Sequence, residues 1–167
     1  VGYGPKPQEV LESVYEETQN FVLGNHDAVI AGRLDPEIFN DHARAVIEWT
    51  REHLNEEARQ FFAEVPMTIQ GAGFLAVHAE AAQPGRFSYI VDVEDARPSF
   101  EATKEKLIFV GHTHHPGRFE LSGRQIGKYG SEDFQLEKGK RYIVNTGSVG
   151  EPRTPDIHAS YCIYDSF

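Results

Sequence analysis

Four apolar runs in this chain end in a histidine or an asparagine, and those residue types at such positions could bind metal. Leu107 to Val110 leads into Gly111-His112-Thr113-His114-His115-Pro116. Phe21 to Leu23 leads into Gly24-Asn25-His26-Asp27, Phe74 to Val77 into His78, and Tyr142 to Val144 into Asn145-Thr146-Gly147-Ser148. Side chains alternate along an extended chain, so His112 and His114, two apart after a strand, can point toward one metal site or two adjacent ones. A polar turn is the plain alternative for that pair. His78 alone is also what a satisfied core histidine looks like, and Asn25 alone reads as a helix N-cap. Company favours metal coordination: in α/β sheets, sites form at the carboxyl ends of strands, where these residues would converge.

Other chemical groups carry less. His42 and His53 fall on a helical stretch and read as solvated; His115 and His158 have no evident partner. Arg153 reads as a salt-bridge residue and Asp92, Glu94 and Asp95 as solvated loop charges. Thr146-Gly147-Ser148-Val149-Gly150 lacks the first glycine of a nucleophile elbow, which argues against a serine hydrolase. Neither Gly71-Ala72-Gly73 nor Gly127-Lys128-Tyr129-Gly130 completes a dinucleotide or phosphate-loop fingerprint.

The elements that must position these residues show in the hydrophobic spacing. Val10, Leu11, Val14 and Tyr15 predict a helix over 7–18, with prolines at its start. Phe21 to Leu23 predicts a short buried strand. A long helix is predicted from Asp35-Pro36 to Leu54, and a second opens at Asn55 as N-cap with an acidic first turn. Val65 to Ile69 and Phe74 to Val77 predict a hairpin around Gln70-Gly71-Ala72-Gly73. A helix is expected somewhere between Ser88 and Lys104 in an otherwise polar stretch. Leu107 to Val110 predicts a strand, followed by pieces near 118–121, 125–129 and 133–136, then Tyr142 to Val144 and a last strand at 159–164. Helices and strands alternate early and strands dominate late, which suits stacked sheets with helices outside.

Composition sets outer bounds. A chain of 167 residues with 40% apolar and 25% charged residues can bury one core of ordinary size, so a single domain is expected over 1–167. No apolar stretch approaches the run of about 20 residues that a spanning helix needs, and no membrane role is expected. One cysteine, Cys162, excludes an intrachain disulfide; cytoplasmic is the default. A formal charge of -10 argues against strong nucleic-acid binding, which needs clustered Lys and Arg. It also means that any anionic substrate must be drawn by something local, and bound cations fill that need.

Taken in order, the motifs carry a family resemblance. Gly24-Asn25-His26-Asp27 resembles the Gly-Asn-His-Asp/Glu motif of calcineurin-like metallophosphoesterases, Val77-His78-Ala79 their single-histidine motif, and Gly111-His112-Thr113-His114 their closing Gly-His-x-His. Asn145 to Arg153, and the opening Val1 to Pro5, are similar to the small bacterial and archaeal phosphodiesterase branch. The resemblance implies an α/β fold, a four-layer α/β/β/α sandwich of two stacked mixed sheets. It implies two divalent metal ions, Mn, Fe or Zn, with Asn25, His78 and His112 on one and His114 on the other. The family's bridging aspartate and its opening Asp-x-His motif would precede Val1. This implies a domain incomplete at the N-terminus, lacking its first strand-helix-strand unit, and a 167-residue chain nearly inactive by itself.

The implied activity is hydrolysis of phosphate mono- or diesters, by in-line attack of a water bridging two metals. The partner is then a phosphate-ester substrate. His26 is implied to hydrogen-bond the phosphate or protonate the leaving group, with Asp27 holding its ring. Two alternatives stand beside this: a non-catalytic protein-binding scaffold on the same fold, and a structural zinc site at His78, His112 and His114.

Overall fold

A computed structural model describes residues 2–165. The chain divides into two compact units, Val1–Met67 and Thr68–Phe167.

The first unit is helical among its described residues. Helix α1 (Pro7–Glu17) has proline in its first turn, where a missing N–H costs nothing, and buries Pro7 and Leu11. The run Phe21 to Leu23 is not the expected strand. Leu23 is fully buried and its N–H donates to the Pro66 carbonyl at 2.8 Å, but no ladder forms. The chain turns at once into α2 (Asn25–Ile30), where the Asp27 carboxylate accepts the Gly24 N–H at 3.1 Å. Helix initiation therefore ends the extended segment before it can pair.

The long helix expected over 35–54 is also broken, because two side-chain caps restart it. Asp35 accepts the Glu37 N–H and opens a one-turn 3-10 helix, Pro36–Ile38. Phe39 is extended, and Asn40 then caps α3 (Asp41–Glu52) through the Ala43 N–H at 2.9 Å. Asn55 caps α4 (Glu56–Glu64) as the sequence predicts, accepting from Ala58 at 2.7 Å. Helix α2 packs on α3 and α4, burying Ala28, Val29 and Ile30 with Ile47 and Phe62.

The second unit is built on one mixed sheet: β1 (Thr68–Gly71), β2 (Phe74–Val77), β3 (Leu107–Val110), β4 (Gly117–Ser122), β5 (Gln125–Tyr129) and β6 (Lys140–Asn145), in spatial order β1-β2-β3-β6-β4-β5. Strands β2, β3 and β6 are parallel neighbours; the remaining pairings are antiparallel. Two stacked sheets were the expectation. Among the described residues six strands form one mixed sheet, since β4 pairs with β6 from Gly117↔Asn145 to Ser122↔Lys140 and carries β5 with it. Residues 133–136 and 159–164 form no strand. Phe134, Leu136 and Tyr164 pack apolar side chains against the sheet face without ladder bonds.

Alternation along the strands sorts the core. Ile108, Val110 and Ile143 face one way, packed with Ala96 and Phe100 of α5 (Val93–Ala102), while Leu107, Tyr142 and Val144 face the other. Asp92 and Asp95, expected as solvated loop charges, form the reciprocal cap that starts α5: Asp92 accepts from Glu94 and Asp95 N–H, and Asp95 accepts from the Asp92 N–H. Among the described residues no helix is long and apolar enough to cross a membrane.

Helix α5 has no base in its own last turn, and Arg141 of β6 supplies one. Its guanidinium donates to the carbonyls of Phe100 (2.7 Å), Thr103 (2.5 Å) and Glu105 (2.9 Å), satisfying acceptors that a helix end leaves open. Arg141→Ala is expected to cost about 2–3 kcal/mol, seen as a lower urea midpoint with an unchanged slope. A midpoint within error of the parent would show that water replaces the guanidinium there.

Candidate functional site

Parallel pairing of β2, β3 and β6 brings three polar strand ends side by side: His78 after β2, Gly111-His112 after β3, and Asn145 at the end of β6. The ladder continues one step past the strands. Gly111 N–H donates to the His78 carbonyl at 2.9 Å, and Thr146 N–H to the Val110 carbonyl at 2.9 Å. These bonds fix where the loops leave the sheet.

The loop after β3 is strained. Thr113 N–H donates back to the Gly111 carbonyl at 2.7 Å, closing a three-residue turn around His112, whose φ is 64°. His114 has φ 62°. Left-handed backbone at a residue other than glycine costs about 1–3 kcal/mol and persists only where the surroundings hold it. The surroundings here are Asn145, whose amide donates to the Gly111 carbonyl (2.7 Å) and the Thr113 hydroxyl (2.9 Å), and Glu151, whose carbonyl accepts from His114 Nδ1 at 2.5 Å.

The result is a pair of imidazoles in contact, with His78 Nε2 3.1 Å from His112 Nδ1. Two nitrogens on one ion at about 2.1 Å stand roughly 3.0–3.4 Å apart at octahedral to tetrahedral angles, so this spacing suits two ligands of one cation. Burial first, and then the neighbouring His78 ring, push the His112 pKa down to about 3, which keeps the ring neutral as a metal ligand must be. His114 is also lowered, by burial above all, against the pull of the Glu151 carbonyl. Because its Nδ1 donates to that carbonyl, the lone pair of the neutral ring lies on Nε2.

Two aromatic residues fix the rings, and neither belongs to a motif legible in the sequence. Tyr89 stacks on His112 with centroids 4.2 Å apart, and Phe87 meets His78 edge-on at 6.0 Å. Phe87 itself has φ 52°, a third strained residue beside the pair. Glu80 is buried with both carboxylate oxygens spent on the N–H groups of Ala82 and Gln83.

Not every expected residue joins the pair. Among the described residues no group of three or more His, Cys, Asp or Glu side chains is placed to hold a metal. His78 and His112 together offer a divalent cation two neutral nitrogen donors, and oxygen donors would have to complete its shell. An Asp-x-His does occur at Asp156-Ile157-His158, where the ring and the carboxylate bond each other in an exposed turn. That supplies the partner His158 lacked in the sequence. His115 Nδ1 lies 2.9 Å from the Thr113 carbonyl.

Asn25, His26 and Asp27 belong to the first unit, in the first turn of α2. The His26 ring lies against Tyr3 (4.8 Å between centroids) and edge-on to Phe39 (5.5 Å). Gly2 is close enough that a Cβ there would stand 2.5 Å from His26 Nδ1. The Asp27 carboxylate serves the helix start through Gly24.

Known proteins resemble this chain in sequence and in fold. The model of the calcineurin-like phosphoesterase superfamily domain matches residues 4–166. An uncharacterised protein of Methanocaldococcus jannaschii is 32% identical over 171 residues, covering 99% of this chain and 68% of the relative. The crystal structure of a metallophosphoesterase from Sphaerobacter thermophilus superposes with a TM-score of 0.78 at 34% identity, over 96% of this chain and 67% of that one. A hypothetical protein from Pyrococcus horikoshii shares the fold, with a TM-score of 0.63 at 21% identity over 90% of this chain and 61% of the other.

The depressed His112 pKa has a consequence for stability. As pH falls below the ordinary 6.5, the unfolded chain takes up a proton that the folded one refuses until about 3. The stability of the metal-free chain should thus be full above about pH 6.5 and decline steadily between there and about 3. Melting temperatures of chelator-treated protein from pH 7.5 to 4.5 should show that decline, and His112→Gln should flatten it. An equal slope in the variant would assign the dependence to other groups.

Proposed function

We infer the function from membership: the chain belongs to the calcineurin-like phosphoesterase superfamily. That supports metal-dependent hydrolysis of phosphate esters. The finer proposal is a mono- or diesterase using two divalent ions, with manganese, iron and zinc all compatible with His and Asn donors. The observation that carries it is the contact of His78 and His112 at the ends of neighbouring parallel strands.

His78 and His112 are proposed to hold one ion as neutral nitrogen donors, with His114 and Asn25 as further metal ligands. Bound divalent ions would supply Lewis acidity, neutralising phosphoryl charge and lowering the pKa of water toward about 7. They would also supply the positive charge that a chain of formal charge -10 otherwise lacks for an anionic substrate. Tyr89 and Phe87 keep the two rings oriented. His26 is proposed to donate a proton to the leaving oxygen or a hydrogen bond to the phosphate, on a turn that Asp27 fixes. A cytoplasmic setting and weak affinity for nucleic acid are part of the same proposal.

The alternative is a protein-binding scaffold without catalysis on the same fold. Hydrolysis of bis-p-nitrophenyl phosphate in Mn²⁺ separates the two. Under the catalytic reading turnover depends on Mn²⁺, and His26→Ala lowers kcat by about 10²- to 10⁴-fold while metal content persists. Stoichiometric metal with no turnover on mono- or diesters would favour the scaffold instead.

A further inference from the structure

We propose that Asn145 is a positioning residue for the candidate metal centre, clamping the turn from Gly111 to His114 in the shape that aims His112 at His78; this deepens the metal-binding reading above and rests on it. Asn145 ends β6 and is 7% exposed. Its side chain is committed to holding loops. Nδ2 donates to the Gly111 carbonyl at 2.7 Å and the Thr113 hydroxyl at 2.9 Å, and Oδ1 accepts the Gly147 N–H at 2.9 Å.

Gly111 and Thr113 flank His112, so one amide grips the turn on both sides of the ligand. Thr113 Oγ1 passes the grip onward by accepting the His115 N–H at 3.2 Å, which encloses His114 as well. Such a clamp is what the backbone requires. His112 and His114 both sit at positive φ, a conformation that side chains with a Cβ leave unless held. Asparagine is specific to this task. Aspartate keeps an acceptor for Gly147 but has no N–H for the Gly111 carbonyl, and would set two oxygens against each other there. Asn145 thus acts on the imidazoles through the backbone that carries them.

The test compares the full chain with Asn145→Asp and with Thr113→Val, which removes one partner of the clamp. Each is titrated with Mn²⁺ by calorimetry, and the imidazole nitrogens of the metal-free proteins are followed by NMR. Asn145→Asp should weaken Mn²⁺ binding by about 10- to 100-fold and Thr113→Val by a smaller factor. The ring-to-ring contacts of His78 with His112 should be lost in the aspartate variant. Folded variants with parental Mn²⁺ affinity and unchanged ring contacts would overturn the proposal. If Asn145→Asp does not fold, Thr113→Val decides on the same two readouts. If the parent chain itself binds no Mn²⁺, the metal reading fails separately, and the ring contacts alone decide: their loss in the variants supports the clamp and their persistence refutes it.

Discussion

The hydrogen bond from Thr113 N–H to the Gly111 carbonyl, closed around a left-handed His112, is the constraint on which the rest of the second unit's site depends. A relaxed loop after β3 would carry His112 away from the sheet end in the direction of the strand. The tight turn folds it back over the tip of β2, where His78 waits. Parallel pairing sets the distance between the strand ends and the turn sets the direction of the ring. Strain of this kind is stored where over-determined surroundings hold it, and here those surroundings are the β6 terminus, the Glu151 carbonyl and the ring of Tyr89.

Burial and charge act together at that point. A histidine removed from water resists protonation, and a second imidazole in contact reinforces the effect, so His112 stays a lone-pair donor across the physiological range. Neutral nitrogens and a strongly acidic chain make a poor anion receptor by themselves. A divalent cation would resolve both difficulties, taking the lone pairs and reversing the local potential. The same physics explains why the surrounding polar groups are spent on loop geometry: Glu80, Asn145 and Thr113 hold backbone in place.

Much of this was legible in the sequence, and for identifiable reasons. β2, β3 and β6 were visible because short apolar runs end at polar residues, and Asn55 because an N-cap followed by two glutamates has one simple meaning. That His78 and His112 lie at neighbouring strand ends was legible, while the turn that brings their rings together was not. What sequence reasoning missed was decided by local caps and by tertiary packing. Gly24 and Asp27 start a helix directly after the run 21–23, which reads as a strand but pairs with none, Asp35 and Asn40 divide one helix into two, and Asp92 with Asp95 form a cap. Tyr89 and Phe87 carry no motif, since stacking on an imidazole leaves no spacing signature. Residues 159–164 look like a strand by alternation but find no ladder partner, and Ser160 makes a single backbone bond to Ser148.

The central claim is that His78 and His112 form one two-nitrogen donor site. Diffraction from crystals soaked in Zn²⁺, with anomalous differences collected at the zinc edge, tests it directly. The account predicts an anomalous peak about 2.0–2.1 Å from both His78 Nε2 and His112 Nδ1. Rings still hydrogen-bonded to each other, with zinc bound elsewhere or not at all, would contradict it.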